Sequence, residues 1–334
     1  MKIRMGVIGL GVGERHLHYL AKNEFVEVVV ICDFNNSKAK RLADVYGVKN
    51  ICTDWVKMIE SFDLDAIVIA SYDQDHCTQI VRSLESGIHV FVEKPLCLTF
   101  AELSSIQQTY EKVNRGGRVI YLTSNFILRR ELRFIELKNK IESGALGEIY
   151  SIEASYDYGR IAKLLEGWRA HSPNYSVMSG GGIHLIDLCQ WLTSQSFVPK
   201  YAMQNKICTS SSAFVAPDFT TCLGLLGNNT VMKVTANFGS QTPHYHQLKV
   251  YGTKGSFFNI CGDGFYFFGS EPNVKRIADP NPFPKANKAE LLSNFLDAMM
   301  SKSGLDVTFD EIVRNMQISL TVDKLASQTM KLEC

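Results

Sequence analysis

The chain has 334 residues, 46% of them hydrophobic and 21% charged, with a net charge of +1. A length beyond one ordinary core predicts two domains, and the absence of any basic block excludes a nucleic-acid or anionic-membrane surface. No apolar run approaches the ~18 residues of a membrane span.

Met1-Lys2 leads straight into a strand rather than a signal peptide, and the nine cysteines lie scattered without a Cys-x-x-Cys pair. Reduced thiols, a cytoplasmic location and no bound metal are expected. From Arg4 the chain reads RMGVIGLGVGERHLHYL. A short apolar run, Met5 to Ile8, breaks at Gly9, Gly11 and Gly13, and a helical stretch follows. Backbone amides at a helix N-terminus behind such a turn can cradle a pyrophosphate. Gly9 would allow the tight turn, and Gly11, followed by Val12, would let the backbone approach the phosphates. Gly13 stands one residue short of the third glycine of the G-x-G-x-x-G spacing, where Glu14 falls. The next β-like run, Val26–Cys32, ends in Asp33. An acidic side chain there is placed to accept hydrogen bonds from an adenosine ribose and to repel a 2′-phosphate, which favours NAD over NADP. The alternative is an aspartate opening the turn at Asn35-Asn36-Ser37.

Helices are predicted at Lys38–Tyr46, His76–Glu85 and Phe100–Asn114, with apolar runs at Ala66–Ala70, His89–Val92 and Val119–Leu122 between and after them. This alternation predicts a doubly wound parallel sheet, an α/β domain over residues 1–122. The pattern then changes. A helix at Arg129–Ser143, stopped by Gly144 and Gly147, precedes strand-like segments at Glu148–Tyr158, Tyr201–Thr209, Phe219–Leu226, Thr230–Phe238, His246–Tyr251 and Phe265–Phe268. Asn228-Asn229 suits a hairpin turn. Residues 123–287 therefore read as an α+β domain with a largely antiparallel sheet. The segment Asp279-Pro-Asn-Pro-Phe-Pro284 is a stiff connector, and helices at Lys288–Met300 and Asp310–Ser327 close the chain.

Three stretches could carry chemistry. Ser71 and His76 follow the fourth parallel run, at the strand end that faces the ligand crevice of a doubly wound sheet; His76 reads equally as a helix-start residue with no chemical role. Glu93-Lys94-Pro95 closes the next run, where Lys and Glu seldom sit without a partner. Beside an oxidised nicotinamide the ammonium form of Lys94 would be disfavoured, suiting it to proton transfer, against the alternative of a loop salt bridge. Finally, Ser179-Gly180-Gly181-Gly182-Ile183-His184-Leu-Ile-Asp187 puts three glycines ahead of an apolar helix, with His184 and Asp187 on one face. His184 is either a general base or a hydrogen-bonded core histidine.

The glycine turn with its histidine, Asp33, Ser71…His76, Glu93-Lys94-Pro95, Arg129 before Glu142–Ile149, the Gly-Gly-Gly…His184-x-x-Asp187 block and the helix Glu290–Met300 occur in one order. Together they resemble the glucose-fructose oxidoreductase / inositol 2-dehydrogenase / rhizopine catabolism family of NAD(P)-dependent oxidoreductases. The resemblance implies a Rossmann domain, an open-faced sheet domain that forms homodimers or homotetramers, and residues 288–334 packing back on the Rossmann domain. It implies hydride transfer between NAD and a secondary alcohol or ketone of a sugar, sugar derivative or cyclitol. Lys94 and His184 would then be the catalytic groups, and Gly9, Gly11, Val12, Gly13, Asp33, Ser71, His76, Glu93 and Lys94 would surround the cofactor. Arg129, Tyr156, Trp168, Arg169, Tyr175 and Asp187 would surround the substrate. Two departures stand out. The shortened turn moves its histidine to His16, and the aspartate that polyol dehydrogenases of the family carry four residues before the substrate histidine is Gly180 here. Tyr156, Tyr158, Trp168, Arg169 or Tyr175 could fill that gap. The gap keeps two alternatives open: a nucleotide-sugar 3-dehydrogenase or ketoreductase, and a non-catalytic dinucleotide-binding regulator.

Overall fold

The computed structural model describes residues 2–117, 119–227, 229–284 and 289–332. It divides into two compact units, Met1–Asn125 with Lys288–Val313, and Phe126–Asn287 with Arg314–Cys334.

The first unit alternates as its sequence predicts: β1 (Ile3–Ile8), α1 (Gly13–Leu20), β2 (Val26–Cys32), α2 (Asn36–Tyr46), β3 (Asn50–Cys52), α3 (Trp55–Ser61), β4 (Ala66–Ile69), α4 (His76–Glu85), β5 (His89–Val92), α5 (Phe100–Val113) and β6 (Leu122–Ser124). The six strands lie in the order β3-β2-β1-β4-β5-β6 and every pairing is parallel. β1 is buried from Met5 to Ile8, as a central strand covered on both faces must be. The register matters most. Cys32 pairs with Ile8, Ile8 with Ile69, Ile69 with Val92 and Val92 with Ser124. One row of residues therefore ends five strands together, and the residues that follow are Asp33, Gly9, Ala70-Ser71, Glu93-Lys94 and Asn125.

Two short elements, β3 and α3, escape periodicity because three and seven residues are too few to show a repeat. The last strand begins at Leu122 rather than Val119. Gly116 and Gly117 take φ of +78° and +89°, and Val119 is exposed, so extended pairing starts later.

The second unit opens with a single 3₁₀ turn at Ile127–Arg130 and α6 (Leu132–Glu142), where one continuous helix was expected. Then come β7 (Ile149–Asp157), the short α7 (Ala162–Leu165), α8 (Ile183–Thr193), β8 (Phe197–Asn205), β9 (Phe219–Leu226), β10 (Thr230–Asn237), β11 (Tyr245–Gly252), β12 (Gly255–Ile260), β13 (Asp263–Phe268) and β14 (Lys275–Ala278). The eight-stranded sheet runs β14-β13-β12-β11-β7-β10-β9-β8, antiparallel except between β10 and β7. Asn228 of the expected hairpin lies outside the described residues; Asn229 beside it takes φ of +73°, which suits a tight turn. β8 starts four residues earlier than its β-branched and aromatic content suggested. Phe197 is buried and its N–H donates to Gln190 Oε1 (3.0 Å), and Pro199 is tolerated because the strand is an edge. One face of this sheet packs Ile152, Ala154, Met232, Val234, Leu248 and Val250 into a core shared with Leu185, Ile186 and Leu188 of α8.

The chain closes with α9 (Glu290–Met299) and α10 (Phe309–Leu332). The expected start of the first of these at Lys288 lies outside the described residues. Residues 288–313 group with the first unit and 314–334 with the second. The reason is visible in α10, whose Asn315 and Asp323 side chains bond to Asp187 and Ser176 of the second unit.

Candidate active site

The glycine turn follows from simple geometry. Gly9 has φ of +79°, and a Cβ there would lie 2.5 Å from the Ala70 carbonyl oxygen, so neither the conformation nor the space admits a side chain. A Cβ on Gly11 would meet no atom within 4 Å. That open side of the turn is where a pyrophosphate would lie. Gly13 packs against Val7 and Ala70, its Cβ position 3.3 Å from each, so the helix–strand packing task of the third glycine is done one residue early. Val12 caps α1 without a side-chain hydrogen bond, so none of its first amides is taken by a capping side chain.

Asp33 locks this turn. One carboxylate oxygen accepts from the Leu10 N–H (2.7 Å) and the other from the Asn35 N–H (2.9 Å). Ser71 is half-buried and donates its hydroxyl to Gln79 (2.6 Å). His76 is fully buried, and its Nδ1 donates to the Pro95 carbonyl (2.7 Å), which braces the Glu93-Lys94-Pro95 turn. Glu93 accepts at one oxygen from both His16 Nε2 and Asn125 Nδ2, each at 2.8 Å. Burial opposes its ionisation, but the hydrogen bonds from His16 and Asn125 and the charges of His16 and Lys94 prevail and hold its carboxyl down to about 2. Glu93 is thus a fixed anion that holds His16 on α1 and shapes the turn carrying the half-buried Lys94.

In the second unit, His184 enters α8 from a π turn, Met178–Gly182. The three glycines are there for close approach. A Cβ on Gly180 would lie 2.3 Å from the Tyr175 hydroxyl, one on Gly181 2.3 Å from the Tyr156 ring, and one on Gly182 2.3 Å from Met178 Sδ. The Ser176 hydroxyl accepts from the Met178 and Ser179 amides and donates to Asp323 (2.7 Å), tying the turn to α10. His184 is buried, with the rings of Phe126, His246 and Tyr156 at 6.1, 6.0 and 6.4 Å. Tyr156 also contacts His246 at 4.6 Å and His244 at 5.3 Å. Trp168 carries Arg169 over its ring at 4.5 Å and meets Tyr175 edge-on at 6.1 Å.

Arg129 and Asp187, expected beside the substrate, are buried and bound to each other. Arg129 Nε and Nη2 donate to the two Asp187 oxygens at 2.9 and 2.6 Å, and Asn315 adds a third bond at 2.7 Å. These bonds tie the Ile127–Arg130 turn and α10 to the helix that bears His184. Sequence reasoning passed over Asn125, His244, His246, Asn315 and Asp323. Only the strand alternation that puts His246 opposite Tyr156 could have suggested any of them.

This geometry agrees with comparisons to known proteins. Residues 3–121 match a model described as an oxidoreductase family with an NAD-binding Rossmann fold. Residues 134–258 match the GFO/IDH/MocA C-terminal domain. The chain belongs to the Gfo/Idh/MocA family. Inositol 2-dehydrogenase of Salmonella typhimurium is 27% identical over 59% of this chain and 56% of its own length. D-glucoside 3-dehydrogenase of Escherichia coli is 28% identical over 57% of this chain and 54% of its own. The chain thus spans little more than half the length of these curated relatives. Among solved structures, the fold is like that of myo-inositol 2-dehydrogenase from Lactobacillus plantarum (TM-score 0.83, 19% identity, 98% of each chain). It is also like scyllo-inositol dehydrogenase from Lactobacillus casei, solved with NAD(H) and scyllo-inositol (TM-score 0.77, 19% identity, 98% of each chain).

Two variants test the buried polar network of this Gfo/Idh/MocA chain. Arg129→Met strands the Asp187 carboxylate and should cost about 3–5 kcal/mol in urea unfolding; a loss below about 1 kcal/mol would show that the pair is not holding α8. Asp323 tests the π turn. Burial pushes its carboxyl up from 3.8 to about 7, against hydrogen bonds from Ser176 and Ser179 that pull it down. Between those values the native state holds a proton the unfolded chain has lost, so stability falls as pH rises through this window. At about 1.4 kcal/mol per unit the loss is at most about 4 kcal/mol. Asp323→Asn should flatten this part of the stability–pH curve, measured as Tm at pH 5 and pH 8. An unchanged slope would place the titrating group elsewhere.

Proposed function

We propose that this chain is an NAD-dependent dehydrogenase of CH–OH groups, acting on a secondary alcohol or ketone of a sugar, sugar derivative or cyclitol. The observation that carries the reading is the strand register. It aligns the glycine turn, Asp33, Ser71 and Glu93-Lys94 along one edge of a parallel sheet, where doubly wound folds bind dinucleotides.

The residues present fit NAD. The open side of Gly11 and the α1 amides would take the pyrophosphate, and Asp33 has lone pairs left for ribose hydroxyls. A 2′-phosphate beside Asp33 would meet a like charge, which makes NADP the poorer ligand. When bound, the nicotinamide accepts or supplies the hydride. The chain's own part is to orient and to move a proton. Lys94 and His184 are the acid–base groups for the substrate hydroxyl, each held by a fixed neighbour: Lys94 beside ionised Glu93, His184 on the helix fixed by Arg129 and Asp187. Tyr156, Trp168, Arg169 and Tyr175 are the substrate-side contacts. The relatives named inositol and glucoside dehydrogenase support this substrate class. Glycine at 180 supports a second reading within it, a nucleotide-sugar 3-dehydrogenase or ketoreductase. Retention of both Lys94 and His184 speaks against a non-catalytic regulator.

The open face of the second unit's sheet supports a homodimer or homotetramer. One cross-strand row reads Tyr201, Leu223, Lys233, Glu153, Lys249, Phe258, Phe265. Apolar ends flank a charged centre in which Lys249 pairs with Glu153 at 3.4 Å. Tyr201 is 76% exposed and Leu223 45%, and a face of this kind suits a second copy better than water.

NADH production from a panel of polyols, sugars and nucleotide-sugars tests the activity. Lys94→Ala should lower turnover by ~10²-fold or more with NADH affinity nearly unchanged; equal turnover would remove Lys94 from the mechanism. Light scattering at micromolar concentration should give twice or four times the chain mass. A stable monomer would refute the sheet interface.

A further inference from the structure

Resting on the dehydrogenase reading, we propose that the adenine of the dinucleotide stacks on the ring of Phe34, which Tyr72 supports from the other side. The starting point is a side chain that folding leaves uncovered. Phe34 is 73% exposed, more than any other large hydrophobic residue described in the first unit. A single exposed apolar side chain needs no partner to explain it. Phe34 is set apart by its place and by its neighbour. It directly follows Asp33, whose carboxylate accepts from the Leu10 amide of the glycine turn at 2.7 Å. Its ring meets that of Tyr72 at 5.7 Å, with 48° between the two planes.

The two rings come from different strand ends. Asp33-Phe34 follows β2 and Ser71-Tyr72 follows β4, with β1 between them in the sheet. Neighbouring strands lie about 4.8 Å apart, so these two ends are separated by about 10 Å. Rings that meet at 5.7 Å therefore reach toward each other past the end of β1, where the chain makes the glycine turn. The pair forms an aromatic ledge beside that turn. Asn35, the next residue, is occupied elsewhere: its side chain caps α2 by accepting from the Lys38 amide at 3.0 Å. The covalent structure of the dinucleotide matches the ledge. On the cofactor reading the ribose hydroxyls lie at Asp33, and the ribose carbon bearing the base is bonded to the carbon bearing the 2′-hydroxyl. The base is thereby set down beside the residue that follows Asp33. A purine is flat and uncharged, so the face of an aromatic ring suits it, while the phosphates go to the amides at Gly11 and α1. Because Phe34 and Tyr72 are already in contact, the base lies on the outer face of Phe34 rather than between the rings. Tyr72 restricts the Phe34 side chain before the ligand arrives, which lowers the ordering cost of binding.

Calorimetry with NADH and with ADP-ribose, which keeps the adenosine and lacks the nicotinamide, tests this. Phe34→Ala should weaken both ligands by about ten- to a hundredfold, and by the same factor. Phe34→Tyr keeps the flat face and should stay within about twofold of the parent. Phe34→Trp gives a second readout, which decides alone should the alanine variant not fold: ADP-ribose should quench the added indole emission, read against the parent. Phe34→Ala binding both ligands as tightly as the parent would overturn the proposal and leave the dehydrogenase reading standing. So would a loss confined to NADH, an unquenched Phe34→Trp, or a parent that binds NADH but not ADP-ribose. A parent that does not bind NADH at all would overturn both.

Discussion

The first unit depends on one carboxylate. Asp33 ends β2 one position beyond the row in which Cys32 pairs with Ile8, and its two oxygens reach the amides of Leu10 and Asn35. Hydrogen bonds to an ionised acceptor are about twice as strong as neutral ones, and a buried amide left without a partner costs roughly 1–3 kcal/mol. The bond to Leu10 therefore sets the path of the chain between Gly9 and Gly11. That path directs the open side of Gly11 and the start of α1. The side chain that holds the turn thus lies at the strand-end edge of the sheet, beside Gly9 and Gly11.

The second unit solves a different problem with the same economy of parts. A histidine at the start of a helix must be held without being blocked. Glycines at 180 to 182 remove side chains on one side, so the Tyr175 hydroxyl and the Tyr156 ring move in close. On the other side the helix is fixed by the buried Arg129–Asp187 pair and by Asn315, itself bonded to Gln190. Breaking such a buried pair costs more than forming it contributes, which makes the arrangement rigid rather than merely stable. Ser176 and Asp323 do the same for the π turn.

Most of the first unit was legible because its cues are local. Glycines, a short apolar run and an acidic strand end are read within thirty residues, and parallel register then carries Asp33, Ser71 and Glu93 to one edge without further information. The second unit was legible in outline only. β12 and β14 were missed, the latter an exposed edge strand whose pattern resembles a loop. Arg129 and Asp187 were recognised as important, yet residue type could not show that each is the other's partner. His246, Asn315 and Asp323 come from strands and helices far along the chain, and nothing near them in sequence announces His184. That the Tyr175 hydroxyl lies against Gly180 required the position of the ring.

The measurement that bears most directly on this nucleotide site is the calorimetric dissociation constant of NADH against that of NADPH, taken on the parent chain and on Asp33→Asn. Two unit charges about 4 Å apart repel by about 4 kcal/mol at an effective dielectric near 20, and by about 1–2 kcal/mol where water enters. NADH should bind the parent at least about tenfold more tightly, and Asp33→Asn should narrow that gap. Equal constants for the two nucleotides on the parent would contradict the role given to Asp33.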